Sequence, residues 1–526
     1  MSSRRVVVVA LVCALVLAPV TDFPATADDR AVNVDPVDSL RVGLDEQRQE
    51  PPTVDQPAAV ILRLKGTASV PDTARIDVER TYTRAGDRIV EGSVSYTEIR
   101  QLSRNPRITS VSITGAALDR TDTVSPGVSV VGADELHAAN VTGENVTVGI
   151  IDSDFRMSHP AVARTDTTYR AFDAGGDWEH GTAVASVVAD TAPDADLRLA
   201  AVGPTTSPEE YREAVDWLVE GRADVVVDSG SYYAQPGDGT GTLGRIVANV
   251  SEDVVFVTSA GNHANRYWAG NYTDGSFVNF TDTDDRNYLN DGESFSGAVD
   301  VSVRWDGWPT TADDFDVYLY RDYPGGDYAV AKATGHEGQP FEHLSTTVAE
   351  GRYYVGIHAK NVSEPHRVEL FTSHDLSNRS TGGTTAPASA AGVVTVGAVD
   401  NGTLRPFSAR TNVDLVAPDG VALSGASIDG GTSFAAPYVA GVAALTVDAN
   451  PEMNATEVRQ HLYDTAVDLG VDGIDDGSGH GVVSAAGILA ATGDDADETS
   501  DDTETTPAEA DAETRKAGAV AVVARG

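Results

Sequence analysis

Cysteine is almost missing: Cys13 is the single one among 526 residues, and it lies inside an amino-terminal apolar run. Once that run is removed, nucleophilic cysteine chemistry and disulfide stapling are both excluded, and stability has to come from burial. Lysine is nearly as scarce. Lys65, Lys332, Lys360 and Lys516 are the only lysines among 37 basic residues, against 80 acidic ones, for a formal net charge of −43. Such a field argues against nucleic acid or an anionic membrane as partner. Where salt is molar the Debye length falls to roughly 3 Å, and an acidic, lysine-poor surface then stays dispersed. The composition therefore reads as salt-adapted. Long apolar runs are also lacking beyond the start of the chain. Ala517 to Ala524 is far short of the ~20 residues that cross a bilayer, so no stable membrane anchor is expected.

The two ends carry their own signals. Arg4 and Arg5, the apolar stretch Val6 to Val20, and Ala25-Thr26-Ala27 have the order of an export signal over residues 1–27. That order predicts an extracellular protein, and the paired arginines suit the twin-arginine route. Residues 493–526 are mostly Asp, Glu, Thr and Ala, and are expected to be disordered for want of anything to bury.

Between the ends the rhythm changes three times. Residues 57–114 alternate as a small α+β unit, with strands at Ala58–Leu64, Arg75–Tyr82, Arg88–Ser95 and Ile108–Ile113 and a helix at Tyr96–Arg104. From Val146 short buried runs take over, at Val146–Ile151, Leu197–Val202, Ala223–Val227, Val254–Val257 and Val393–Val396. Helical patterns at Pro208–Val219, Thr242–Val250, Ser433–Asp448 and Asn454–Thr465 accompany them. Apolar strands alternating with helices predict an α/β fold, a parallel sheet flanked by helices. Residues 272–380 interrupt that rhythm with alternating strands and Gly, Asn and Asp turns, which predicts an inserted antiparallel β-sandwich. The expected organisation is a signal over 1–27, an amino-terminal unit over 28–124, a core in two parts (125–271 and 381–492) around the insert, and the acidic tail.

Four segments carry chemistry. VTVGIIDSD delivers Asp152 at the carboxyl edge of an apolar strand, where sites sit in open α/β sheets. EHGTAVASVVAD places His180 at a helix start beside Gly181. GGTSFAAPYVAGVAAL places Ser433 at another helix start, where free N–H groups favour developing negative charge. TSAGNHA offers Asn262, whose side-chain amide could donate to an oxyanion. Singly, each has a plainer reading as a strand-end Asp, a structural His, a Ser cap and a turn Asn.

In the order Asp, His, Asn, Ser the four segments resemble the subtilisin-like serine proteases over about Val130 to Leu489. The resemblance implies a subtilisin-like fold and a serine endopeptidase acting on proteins or peptides. It implies Ser433 as nucleophile, His180 as general base and then acid, Asp152 as the group that orients the imidazole, and Asn262 as oxyanion donor. It implies that Ser229, Gly230 and Ser231, with Ser259, Ala260 and Gly261, line the substrate. Residues 57–114, YTEIRQLSRNPRITSVS above all, are similar to the family's propeptide, which implies a chaperone and an intramolecular inhibitor. The insert, through DDFDVYLYRD and RYYVGI, is similar to a β-sandwich carried by some relatives. Three positions depart from the family pattern: Asp154 replaces a usual Gly, Ala183 a second His, and Ser231 a pocket Gly.

Two other classes remain open beside the endopeptidase: a catalytically silent binding protein on the same scaffold, and a peptide ligase or cyclase. The expected chemistry requires no cofactor, and no metal ligand is assigned. A structural calcium ion is open at the loops of Asp282, Asp284 and Asp285 and of Asp472, Asp475 and Asp476, but neither has EF-hand spacing, and a solvated acidic loop is the simpler reading.

Overall fold

The computed structural model describes residues 57–491 apart from 72–74, 115–123, 165, 174–177, 204–205, 336–337, 424–427 and 429. All of these belong to one compact unit, Asp38–Gly526. The export signal, the acidic tail and most of the link that follows the amino-terminal unit lie outside the described residues.

The amino-terminal unit comprises β1 (Pro57–Leu64), β2 (Asp77–Arg84), β3 (Asp87–Ser95), α1 (Tyr96–Ser103) and β4 (Ile108–Ile113). Then come α2 (Gly127–Val130), α3 (Ala133–Ala138), β5 (Thr147–Asp152), β6 (Thr168–Ala171), α4 (Trp178–Thr191), β7 (Asp196–Ala201), α5 (Pro208–Glu220), β8 (Val225–Asp228), α6 (Thr242–Val250) and β9 (Val255–Ser259). The insert contributes β10 (Tyr267–Tyr272), β11 (Asn287–Tyr288), β12 (Phe295–Trp305), β13 (Asp314–Asp322), β14 (Tyr328–Ala333), β15 (Phe341–Asn361) and β16 (His366–Thr372). The core resumes with β17 (Val394–Asp400), β18 (Thr403–Leu404), β19 (Leu415–Pro418), α7 (Thr432–Ala449), α8 (Ala455–Asp464) and α9 (Ala486–Ala491).

The main sheet runs β18-β17-β9-β8-β5-β7-β6-β4-β1-β3-β2, with β19 beside β17. Its centre is parallel: β5 pairs with β7 and β8, β8 with β9, and β9 with β17. Strands such as Val225–Asp228 and Val255–Ser259 are buried at every position, as a sheet covered on both faces requires. α7 is buried along almost its whole length, with alanine or glycine at Ala435, Ala436, Ala440, Gly441, Ala443 and Ala444. Those small side chains let it pass close to α4: a Cβ on Gly441 would stand 2.4 Å from Thr191 Cβ. The amino-terminal unit extends this sheet, because β4 pairs antiparallel with β6, Val111 opposite Tyr169 and Ser112 opposite Thr168.

The insert forms a second, antiparallel sheet ordered β10-β16-β12-β15-β13-β14, with β11 also on β15. β15 pairs with β12 through its first half and β13 through its second. The two halves face each other over a separate apolar cluster, and Phe315 on β13 meets both Tyr272 and Trp305 at 5.2 Å between ring centroids. This sheet begins at Tyr267, ahead of the 272 boundary expected from sequence, because Tyr267–Tyr272 pairs with His366–Thr372.

Candidate active site

The carboxyl ends of β5, β8 and β9 converge beneath the amino termini of α4 and α7. β5 ends on Asp152, which is 5% exposed. Its Oδ1 accepts from Ser153 N at 2.7 Å and from Ser153 Oγ at 3.1 Å. His180, in the first turn of α4, brings Nδ1 within 2.9 and 3.0 Å of the two Asp152 oxygens. Gly181 makes that approach possible: a Cβ there would stand 2.2 Å from the Asp154 carbonyl oxygen and 3.0 Å from Asp152 Cβ.

Ser433 is the second residue of α7. Its hydroxyl donates to the Ser229 carbonyl at 3.1 Å, and Ser229 Oγ donates back to the Ser433 carbonyl at 2.9 Å. The neighbouring Phe434 ring stands 5.2 Å from the His180 imidazole, centroid to centroid. The start of α7 therefore lies against the imidazole that Asp152 holds through Nδ1.

Asn262 is fixed by its oxygen. Asn262 Oδ1 accepts from Thr432 N and Thr432 Oγ1, both at 3.0 Å, and Gly261 N donates to Thr432 Oγ1 at 3.1 Å. This leaves the amide NH2 beside Gly431, where a Cβ would stand 3.3 Å from Nδ2. The six residues expected to line substrate gather here too. Ser229, Gly230 and Ser231 follow β8, and Ser259, Ala260 and Gly261 end or follow β9. Ser259 Oγ donates to the same Ser229 carbonyl at 3.3 Å. The departure Ser231 is 8% exposed and Ala183 is fully buried in α4.

Three residues support the site in ways the sequence does not show. Asp419 Oδ2 accepts from Gly431 N at 3.1 Å and faces Arg405 Nε at 3.0 Å. It thereby holds the turn before Ser433, and Gly430, at φ +87°, would drive a Cβ to 2.3 Å from that same oxygen. Burial raises the Asp419 carboxyl above its ordinary value despite Arg405. Asp228, fully buried under Ser229, accepts from Tyr211 OH at 2.6 Å and Gly230 N at 2.8 Å, and burial pushes it up to about 6. Asp419 and Arg405 stand outside the motifs in the chain, and Asp228, although next to Ser229, meets Tyr211 only in the fold.

The acidic loops read as turns. Asp475 Oδ1 accepts from the Gly477 and Ser478 N–H groups at 2.8 Å, and these backbone bonds, that of Ser478 first, lower its pKa. Asp284 Oδ1 accepts from Arg286 N at 3.0 Å. Among the described residues, Asp313, Glu364 and His366 form a group that could hold a metal ion. However, Asp306 and Asp313 take the two ring nitrogens of His366 at 2.7 Å each. Burial pulls this imidazole down, yet the bonds to Asp313 and Asp306 outweigh it and raise its pKa. With both ring nitrogens held by carboxylates, His366 has no free nitrogen to offer a metal in this arrangement.

The family model described as "Subtilase family" (Peptidase_S8) matches residues 143–305 and 372–481, just over half of the chain. A halolysin-like extracellular serine protease from Natrialba magadii is 41% identical over 111 residues, 20% of this chain and 20% of that one. Subtilisin E from Bacillus subtilis is 26% identical over 182 residues, 31% of this chain and 46% of that one. The matches thus span less than half the length of these relatives. The solved Clostridium perfringens CspB protease is 17% identical at a TM-score of 0.49, covering 69% of this chain and 96% of its own. The match, which covers both parts of the core and runs into the insert as far as Trp305, places the chain in the subtilase family.

Proposed function

We propose that the protein is a secreted serine endopeptidase working through Ser433, His180 and Asp152. The observation that carries this reading is the pairing of Asp152 with His180 Nδ1 at 2.9 Å, next to a serine at the amino terminus of a buried helix. Rotation of the Ser433 hydroxyl from Ser229 toward the imidazole lets His180 Nε2 take its proton as Oγ attacks the peptide carbonyl. Asp152 keeps the proton on Nδ1 and stabilises the imidazolium. The Asn262 amide and the Ser433 N–H receive the negative charge on the carbonyl oxygen. His180 then returns the proton to the leaving amine, and water completes the cycle. The segments around Ser229–Ser231 and Ser259–Gly261 are proposed to line the substrate. No step draws on a cofactor.

Ser433→Ala tests the reading: peptide hydrolysis and fluorophosphonate labelling should both vanish in a protein that still melts cooperatively. A variant that keeps its activity would remove Ser433 from the mechanism. A parent that never labels would favour a silent scaffold.

The charge of −43 supports a second proposal, that the fold is adapted to high salt. Screening should relieve repulsion among surface carboxylates. The melting temperature of Ser433→Ala, which cannot digest itself, should then rise from about 0.1 M toward molar salt. A flat curve would leave the acidity a matter of solubility alone.

A further inference from the structure

Asp154 departs from the family pattern, and the mechanism above makes no use of it. It is 1% exposed. Oδ1 accepts from Phe155 N at 2.8 Å and Tyr169 OH at 2.9 Å. Oδ2 accepts from Arg100 Nε at 3.0 Å, from Arg100 Nη2, and from Arg104 Nη2 at 3.3 Å. Three of these five bonds therefore come from the last turn of α1 and the Arg104 that caps it, in the amino-terminal unit. Only Ser153 separates Asp154 from Asp152, and Ser153 holds Asp152 Oδ1 through both N and Oγ. The Asp154 carbonyl packs on Gly181, next to His180. The carboxylate thus sits in the loop that sets the distance between the catalytic aspartate and the helix of the catalytic histidine.

A buried carboxylate with its cations removed is a costly group, and the local backbone moves to hydrate it. The seat of the unit suits permanent occupancy. Beyond the β4–β6 ladder, Ile113 N donates to Thr167 O at 2.9 Å and Asp166 N to Ile113 O at 3.1 Å. Ile99, Leu102, Val111 and Ile113 belong to the same apolar cluster as Phe155, Tyr169 and the helix of His180. A pro-segment that left would uncover that cluster and strip Asp154 of both arginines.

We propose that residues 57–114 are a retained positioning partner of the active site, with Arg100 and Arg104 holding Asp154 and, through it, the catalytic aspartate loop, so that full activity requires the unit on β6 whether or not its link to the peptidase has been cut. This rests on Asp152, His180 and Ser433 being the triad.

The test uses the full chain and a chromogenic peptide. Arg100→Ala/Arg104→Ala should lower kcat roughly 10- to 100-fold, as small misplacements of catalytic groups do, with KM moving less than about twofold. Adding Asp154→Asn removes the unpaired charge and should recover most of the loss, a rescue that general loosening of the fold would not give. If the double variant does not accumulate, Arg104→Ala alone should still lower kcat by roughly threefold. In the processed parent, the cleaved unit should co-elute with the peptidase on gel filtration. An unchanged kcat in the arginine variants, a loss that Asp154→Asn does not rescue, or a fully active peptidase free of the unit would overturn the inference and leave the triad standing. A parent as silent as Ser433→Ala would overturn both.

Discussion

The two attachments to the peptidase are joined in opposite ways. The insert has its own apolar cluster, built from Val299, Val301, Val303, Phe315, Val317 and Val355 among others. It meets the peptidase through a few specific side chains. Arg304, 2% exposed, donates to the Gln235 and Thr384 carbonyls at 2.9 Å while Glu369 holds its Nε at 2.7 Å. Phe371 packs between Tyr233 and His263, at 5.2 and 5.3 Å. The amino-terminal unit instead shares the peptidase core and continues its sheet. A piece with a core of its own can be held by a few contacts, whereas a piece that borrows its neighbour's core cannot leave without exposing it. The inserted unit is thus the more self-contained of the two, and the terminal unit, which the family resemblance marks for removal, is the more integrated.

The sharpest way to break this comparison is at Arg304. Arg304→Ala leaves Glu369 and two carbonyls without their buried partner, a change worth about 3–5 kcal/mol. Because the insert keeps its own cluster, the loss should fall on the seam. Unfolding of the variant in a Ser433→Ala background should split into two transitions by calorimetry. A single transition merely shifted downward would show that insert and peptidase fold as one. Ile99→Ala in the amino-terminal unit should do the reverse. Ile99 is fully buried, and its truncation should cost about 2–4 kcal/mol. That cost should appear as a lower midpoint of one cooperative transition, because the cluster is shared. An early, separate transition for residues 57–114 would undo the claim of a common core.

Much of this was legible in the sequence, for physical reasons. Thr242–Val250 and Ile108–Ile113 appear in the structure at the residues read from the sequence, because the apolar pattern there starts and stops sharply. Pro208 and Asn454 marked helix starts because Ser207 with Glu210, and Asn454 with Glu457, form capping boxes. The insert's first strand was hidden, since YWAGNY has too little alternation to read as a strand without its partner on β16. Asp152, His180 and Asn262 are local events, a strand end, a helix start and the turn after β9, the last two with glycine beside them. Asp154 stood out as a departure, but its meaning lies in Arg100, 54 residues earlier, and no local pattern joins the two. Asp419 and Arg405 were invisible for the same reason, since one holds Gly431 N and the other pairs with that carboxylate from distant segments, and the bond of Asp228 to Tyr211 likewise joins separate elements.

The smallest effect concerns His263, at the seam between Tyr233 and the insert's Phe371. It is 6% exposed, and burial first, then the charges of Arg266 and Arg304, pull its pKa from 6.5 down to about 3. The imidazole is therefore neutral in the native protein across the range where the unfolded chain protonates it. Below pH ~6.5 the unfolded state binds a proton that the native state refuses, so stability falls as pH falls, by ~1.4 kcal/mol per pH unit, or about 2 kcal/mol at pH 5. Asp228 acts in the other sense: its native pKa is raised to about 6, so stability increases as pH drops from there toward the ordinary carboxylate value. Comparing His263→Gln with its parent, both in a Ser433→Ala background, cancels the Asp228 contribution because both proteins carry it. Melting curves at pH 8 and pH 5 should show the parent losing more stability than the variant on acidification. Equal losses would mean that the His263 ring is protonated in the native state as readily as in the unfolded chain, and that the seam beside Phe371 is wet.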